Sequence, residues 1–187
     1  MMAKFMVPIR KFDFTPEMME EHLTYFWLHK SEFIAKAMTE RDRGISHRTP
    51  PFRVGCSAMA VGPHHQHGTY AMYWDHNETP VPAQRIAENK RCAERKTVER
   101  VLINECDVII VLITVSREKS TGDEDEHDVL HPCRECRDMF RELLSYGILR
   151  PNSLLVNVND ADANSIVEKE MTVEELLKSY EDDLKEN

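Results

Sequence analysis

The run Asp107-Val-Ile-Ile-Val-Leu-Ile-Thr-Val115 constrains the fold more than any other stretch of the chain. A strand that is apolar and β-branched on both faces leaves no side for water. It belongs at the centre of a sheet covered by helices above and below. The apolar stretch covers only residues 108–113, far short of the roughly 20 residues needed to cross a bilayer. A chain of 187 residues, 41% hydrophobic and 30% charged, suits one globular domain with terminal additions and a well-solvated surface. Residues 1–9 carry too short an apolar run for a secretory signal, which predicts a cytosolic protein.

The flanking sequence supplies the covering layers. Thr15-Pro16-Glu17 opens a helix with a capping hydroxyl and a first-turn proline. Met19, Leu23, Phe26 and Trp27, then Ile34, Ala37 and Met38, continue its apolar face, and the helix should stop near Arg43 before a glycine and two prolines. Val54, Cys56, Ala58 and Ala60 alternate with Arg53, Ser57 and Met59, the period of a half-buried strand. Gly62-Pro63 ends it, and residues 69–74 form a second strand of the same hairpin. Val98, Val101 and Leu102 recur at helical spacing. A second amphipathic stripe, Cys136, Met139, Phe140, Leu143 and Leu144, follows Pro132 and stops at Gly147. Residues 153–158 read as a strand reached by a crossover, which favours parallel pairing. Thr172-Val-Glu-Glu175 is a capping box opening a final helix.

Two segments carry chemistry. Cys92-Ala93-Glu94 and Pro132-Cys133-Arg134-Glu135-Cys136 offer three thiolates, one short of a closed structural zinc shell. Catalytic zinc sites hold the metal with three protein ligands and leave the fourth position to water. Both motifs fall at predicted helix starts, where unpaired amides and the helix dipole lower a thiol pKa. Glu94 is poorly placed as a fourth ligand and better placed beside the water, where a carboxylate can move protons. Arg95, one turn beyond Cys92, can donate to the ligand sulfurs and draw charge from them; the alternative is a surface arginine.

These motifs match the zinc deaminase signature, a ligand and glutamate followed by P-C-x-x-C. Cys92-Ala93-Glu94-Arg95 and Pro132-Cys133-Arg134-Glu135-Cys136-Arg137 resemble the cytidine deaminase family, in particular its three-cysteine members, and Phe52-Arg53-Val54-Gly55-Cys56 looks like that family's first core strand. The resemblance spans roughly residues 50–158 and extends to blasticidin S deaminase, of the same superfamily. It implies an α/β fold, a three-layer α-β-α sandwich with a mixed central sheet. It also implies a Zn²⁺ cofactor held by Cys92, Cys133 and Cys136, with Glu94 as the catalytic proton carrier. Phe52 would stack on a pyrimidine, with simple core packing as the other reading, and the Ala93 backbone amide would anchor a carbonyl. The family's sugar-binding Asn-x-Glu pair has no match in its usual register, which reads Val81-Pro82-Ala83; Asn77 and Glu78 are the nearest candidates. Homodimers or homotetramers follow from the same resemblance. The expected division is residues 1–48 as a helical region packing on the core or an oligomer, 49–160 as the deaminase core, and 161–187 as a C-terminal helix and charged tail.

The expected substrate is a small cytosine nucleoside or analogue, and no membrane partner is implied. A net charge of −9 argues against tracking a long nucleic acid, which needs a broad basic surface. Arg85, Lys90, Arg91, Arg95 and Lys96 cluster near the first motif, as a solvated helix face or as a contact for a substrate phosphate or carboxylate. Residues 64–67 read as a solvated turn rather than a second metal site, and the acidic residues 123–128 as an exposed insertion. Cys56 and Cys106 are an unpromising disulfide pair. A nucleotide, a nucleoside antibiotic, single-stranded nucleic acid or a non-catalytic zinc-stabilised module remain as alternatives.

Overall fold

The computed structural model describes residues 13–47, 51–65, 69–79, 91–104, 106–117, 120–121, 126–127, 129–162 and 165–186. The basic residues Arg85 and Lys90 and most of the acidic segment 123–128 lie outside them, as do the register 81–83 and residues 66 and 67 of the histidine turn.

The chain begins with helix α1 (Pro16–Arg43), followed by the short strand β1 (Ile45–Ser46) and then by β2 (Val54–Val61), β3 (Ala71–His76) and β4 (Glu78–Thr79). Helix α2 (Ala93–Ile103), β5 (Val108–Ser116), the short pair β6 (Ser120–Thr121) and β7 (Glu126–His127), and helix α3 (Arg134–Ser145) come next. β8 (Leu149–Asp162), β9 (Ser165–Thr172) and α4 (Val173–Glu186) complete it. The five long strands form one sheet in the order β3-β2-β5-β8-β9. β5 and β8 pair in parallel while the other three pairings are antiparallel. The sheet is therefore mixed, and β5 lies at its centre with all nine residues buried.

Among the described residues, one layer is α1 alone. Thr15 accepts from the Met18 amide at 3.3 Å and Pro16 occupies the first turn, so the helix starts where capping chemistry places it. Met19, Phe26 and Phe33, one every seven residues, are fully or almost fully buried against β2, β5 and β8, with the Phe26 and Phe33 rings edge-on at 5.5 Å. Each such ring removes roughly 2–3 kcal/mol worth of apolar surface from water. Trp27, expected on this face, is 45% exposed, because a residue directly after Phe26 points about 100° away around the helix. Gly55 lets α1 approach this closely: a Cβ there would sit 1.9 Å from the Ala37 carbonyl oxygen and 2.3 Å from the Arg41 amide.

The other layer comprises α2, α3 and α4, packed on the opposite face through Val98, Val101, Met139, Phe140, Leu143 and Leu176. β2 lies between both layers, and all eight of its residues are buried rather than alternating. Ser57, read as solvent-facing, instead donates its hydroxyl to the Phe33 carbonyl at 2.9 Å under α1, so its polar group is satisfied without water. Gly147 terminates α3 with φ of 71°, a left-handed conformation that glycine adopts without steric penalty. β8 is much longer than residues 153–158. It opens at Leu149, and an irregularity between Ile109 and Val111 of β5 absorbs the segment around Pro151. β9 is an additional edge strand. Thr172 ends it and caps α4, accepting from the Glu175 amide at 3.1 Å while Glu175 accepts from the Thr172 amide at 2.7 Å. All five cysteines are free thiols.

Candidate metal centre and its cleft

α2 and α3 start side by side beneath the carboxyl end of the parallel pair. Cys92 is the N-cap of α2 and Cys133 the N-cap of α3, both with extended backbone, and Cys136 lies on the first turn of α3. The Cys92 and Cys133 sulfurs are 3.6 Å apart and those of Cys133 and Cys136 3.5 Å apart; all three lie within 4.8 Å of one another. A tetrahedral zinc with bonds of about 2.3 Å separates its sulfurs by about 3.8 Å. Among the described residues no other group of histidine, cysteine and carboxylate side chains is arranged to hold a metal.

The electrostatics fit the same ion. The Cys92 thiol is pushed up by its hydrogen bond to Cys133, then by burial and by the Glu94 charge, and the Cys136 thiol by Cys133, Cys92, burial and Glu94. Three adjacent thiolates in a buried pocket need a multivalent cation to stay ionised together. The cluster fits a three-cysteine zinc site.

Glu94 occupies the first turn of α2, only 5% exposed, and Ala93 beside it is fully buried. Both line a small cleft of about 60 Å³ together with Cys92 and Cys133. Phe52 and Val54 contribute from the start of β2, and Asn77 and Glu78 from the β3–β4 junction. Arg91, from the basic cluster noted in the sequence, and Leu130 and His131, which the sequence did not single out, complete its lining. Leu130 and His131 could have been found only by their adjacency to Pro132-Cys133.

The polar members of the cleft are held by different means. The Asn77 amide accepts from the Val54 amide at 2.7 Å and donates to the Phe52 carbonyl at 3.1 Å, fixing the entry to β2. Glu78 accepts from Lys96 at 2.7 Å, which holds its carboxyl below the ordinary range. Lys96 also pairs with buried Asp75 at 2.9 Å, and Arg100 reaches the same carboxylate at 2.6 Å. Burial alone would raise the Asp75 pKa, but Lys96 and Arg100 outweigh it and the net direction is down. α2 is thereby pinned to β3. Arg95 is half-buried on the first turn of α2, three residues beyond Cys92. Of the described members of the expected cationic cluster, Lys96 is committed to carboxylates and Arg91 lines the cleft. At the turn after β2, His64 is exposed and His65 accepts from the Gly62 amide at 3.1 Å.

An α-β-α sandwich with a mixed sheet and a cysteine trio at two helix starts defines a class of α/β proteins with a candidate metal site. The architecture is similar to that of a cytidine deaminase from Burkholderia pseudomallei, with a TM-score of 0.56 and 18% identity over 78% of this chain and 94% of that one. A cytidine deaminase from Mycobacterium leprae aligns with a TM-score of 0.45 and 15% identity over 74% of this chain and 91% of that one. No family model matches the chain and no curated protein matches it in sequence. The chain therefore has the cytidine deaminase fold, and its three cysteines fit a three-cysteine zinc site. Among the described residues, no helix is long and apolar enough to cross a membrane.

Proposed function

We propose that this protein is a zinc-dependent hydrolase that converts the exocyclic amine of a cytosine-type nucleoside to the uracil carbonyl and releases ammonia. The observation carrying the reading is a trio of sulfurs with near-tetrahedral spacing that shares a cleft with the buried Glu94. Zinc held by Cys92, Cys133 and Cys136 would supply Lewis acidity and lower the pKa of a water in the cleft.

The chain's own groups do the rest. Phe52 and Leu130 provide apolar walls against which a flat base can lie, and the Ala93 amide lies at the helix start to receive the base carbonyl. The Glu94 carboxylate takes a proton from the attacking water as a C–O bond forms at C4, and hands it to N3 of the base. A second proton passes through Glu94 to the amine nitrogen, the C4–N bond breaks, and ammonia leaves a uracil-type product. Burial of Glu94 keeps this exchange away from bulk solvent. We assign the same protein to the cytosol and to a homodimer or homotetramer.

A modified nucleoside is a second reading, favoured by the Asn77 amide being engaged with the backbone of Phe52 and Val54 and by Lys96 neutralising Glu78. The two are separated by measuring ammonia release from cytidine, deoxycytidine, cytidine monophosphate, blasticidin S and a short cytosine-containing oligonucleotide, with zinc content measured in parallel. Glu94→Gln is expected to keep its zinc and lose about 10³-fold or more in kcat. Full turnover by that variant would remove Glu94 from the reaction, and zinc without turnover on every substrate would make the protein a binding module.

A further inference from the structure

The second cysteine motif is held from outside by the C-terminal helix. Tyr180 of α4 places its hydroxyl 3.3 Å from Nδ1 of His131, and the His131 and Tyr180 rings meet edge-on with centroids 6.5 Å apart. The guanidinium carbon of Arg137 lies 3.8 Å from the centre of the Tyr180 ring. Arg137 is itself anchored to the motif, its Nη1 donating to the Pro132 carbonyl at 2.8 Å and its amide to the Cys133 carbonyl at 2.9 Å. Arginine, tyrosine and histidine thus form a closed bracket around residues 131–133. The histidine lines the cleft shared by Glu94, Cys92 and Cys133.

Building on the deaminase reading, we propose that His131 is a specificity-determining residue that contacts the reacting end of the base, and that Tyr180 is the positioning residue that fixes its ring. His131 precedes the ligand Cys133 by two residues, so its backbone lies within about 7 Å of that ligand's backbone, and both residues line the same cleft. An imidazole anchored through one nitrogen cannot swing freely about χ2. A ring of fixed orientation presents a wall of fixed shape to the cleft, which is what discrimination between similar flat substrates requires. Helix α4 lies outside the cysteine motifs, yet through this contact it shapes the cleft.

The test uses the zinc-loaded full chain with His131→Ala, Tyr180→Phe and Tyr180→Ala. Zinc content, thermal midpoint, steady-state ammonia release and calorimetric binding of cytidine and deoxycytidine are measured for each. Tyr180→Phe removes the hydroxyl while keeping the ring under Arg137. It is expected to raise KM and the dissociation constant about threefold to fivefold, with zinc content and kcat within twofold of the parent. His131→Ala is expected to raise both about tenfold, equally for cytidine and deoxycytidine, because the contact is with the base. Tyr180→Ala should match or exceed the phenylalanine variant and lower the midpoint as well.

A loss confined to one of the two sugars overturns the assignment to the base end, and unchanged binding in His131→Ala overturns the contact altogether. If Tyr180→Phe lowers zinc content or thermal midpoint while leaving KM alone, Tyr180 is structural and the positioning role fails. If the parent binds both nucleosides but releases no ammonia, the deaminase reading fails while the binding data still decide on His131. If the parent binds neither, both fall.

Discussion

The two layers covering the sheet are built on different plans. On one face a single helix of 28 residues lays Met19, Phe26 and Phe33 along the strands. On the other, α2 and α3 run only 11 and 12 residues, and α4 follows on from the edge strand. A continuous helix gives one unbroken apolar stripe but only one start. Dividing a layer into short helices gives several starts, each with unpaired amides and a chain direction that can be aimed inward. The cysteine trio uses two of them. The α1 face therefore supplies scaffold, and the opposite face supplies the site.

Four substitutions test that division, beginning with the largest effect. Cys136→Ala should lose zinc and ammonia release together, as read by metal analysis of the purified protein, whereas a site able to hold zinc with two cysteines would retain it. Phe33→Ala, on the scaffold face, should destabilise the fold by about 3–4 kcal/mol in urea denaturation while folded protein keeps its zinc. A selective loss of metal in that variant would break the distinction between faces.

Asp75→Asn sharpens the comparison, since Asp75 is the clamp between β3 and α2. A loss of about 1–2 kcal/mol is expected at neutral pH. The folded-state pKa of Asp75 lies below its ordinary value of 3.8, so its contribution is complete above that value and disappears as pH falls through the lowered one. Parent and variant should accordingly converge in stability at strongly acidic pH and diverge above about pH 4. Lys30 of α1, paired with Glu168 and Glu170 of β9 at the sheet rim, should matter least: Lys30→Ala is expected to shift stability by less than about 1 kcal/mol, and less still in high salt.

The contrast between the layers also explains what could be read from the sequence. α1, β5, α2, α3 and the Thr172–Glu175 box carry strong local signals, either an apolar period or a cap, and each lies where its pattern places it. The spacing of Cys92, Cys133 and Cys136 likewise announced a common site because ligand chemistry is specific. β9 was not legible. Its residues 166–170 are exposed, and an edge strand of mixed polarity has no periodic signature to separate it from a loop. Burial of β2 on both faces was hidden for a related reason: Ser57 looked solvent-facing until α1 supplied the Phe33 carbonyl. Asn77 and Glu78 were legible as candidates only through family resemblance, while their bonds to β2 and Lys96 depend on tertiary packing. His131 and Tyr180 are separated by 49 positions and meet only because α4 folds back over α3.

The junction at Thr172 has a mechanical consequence. The residue that finishes β9 also caps α4, with no linker between strand and helix. Such a joint has no slack. The heading of α4, and with it the place where Tyr180 arrives, is inherited from how β9 docks along β8. An outermost ribbon of the sheet thus acts as the tiller of a helix whose Tyr180 braces one wall of the cleft.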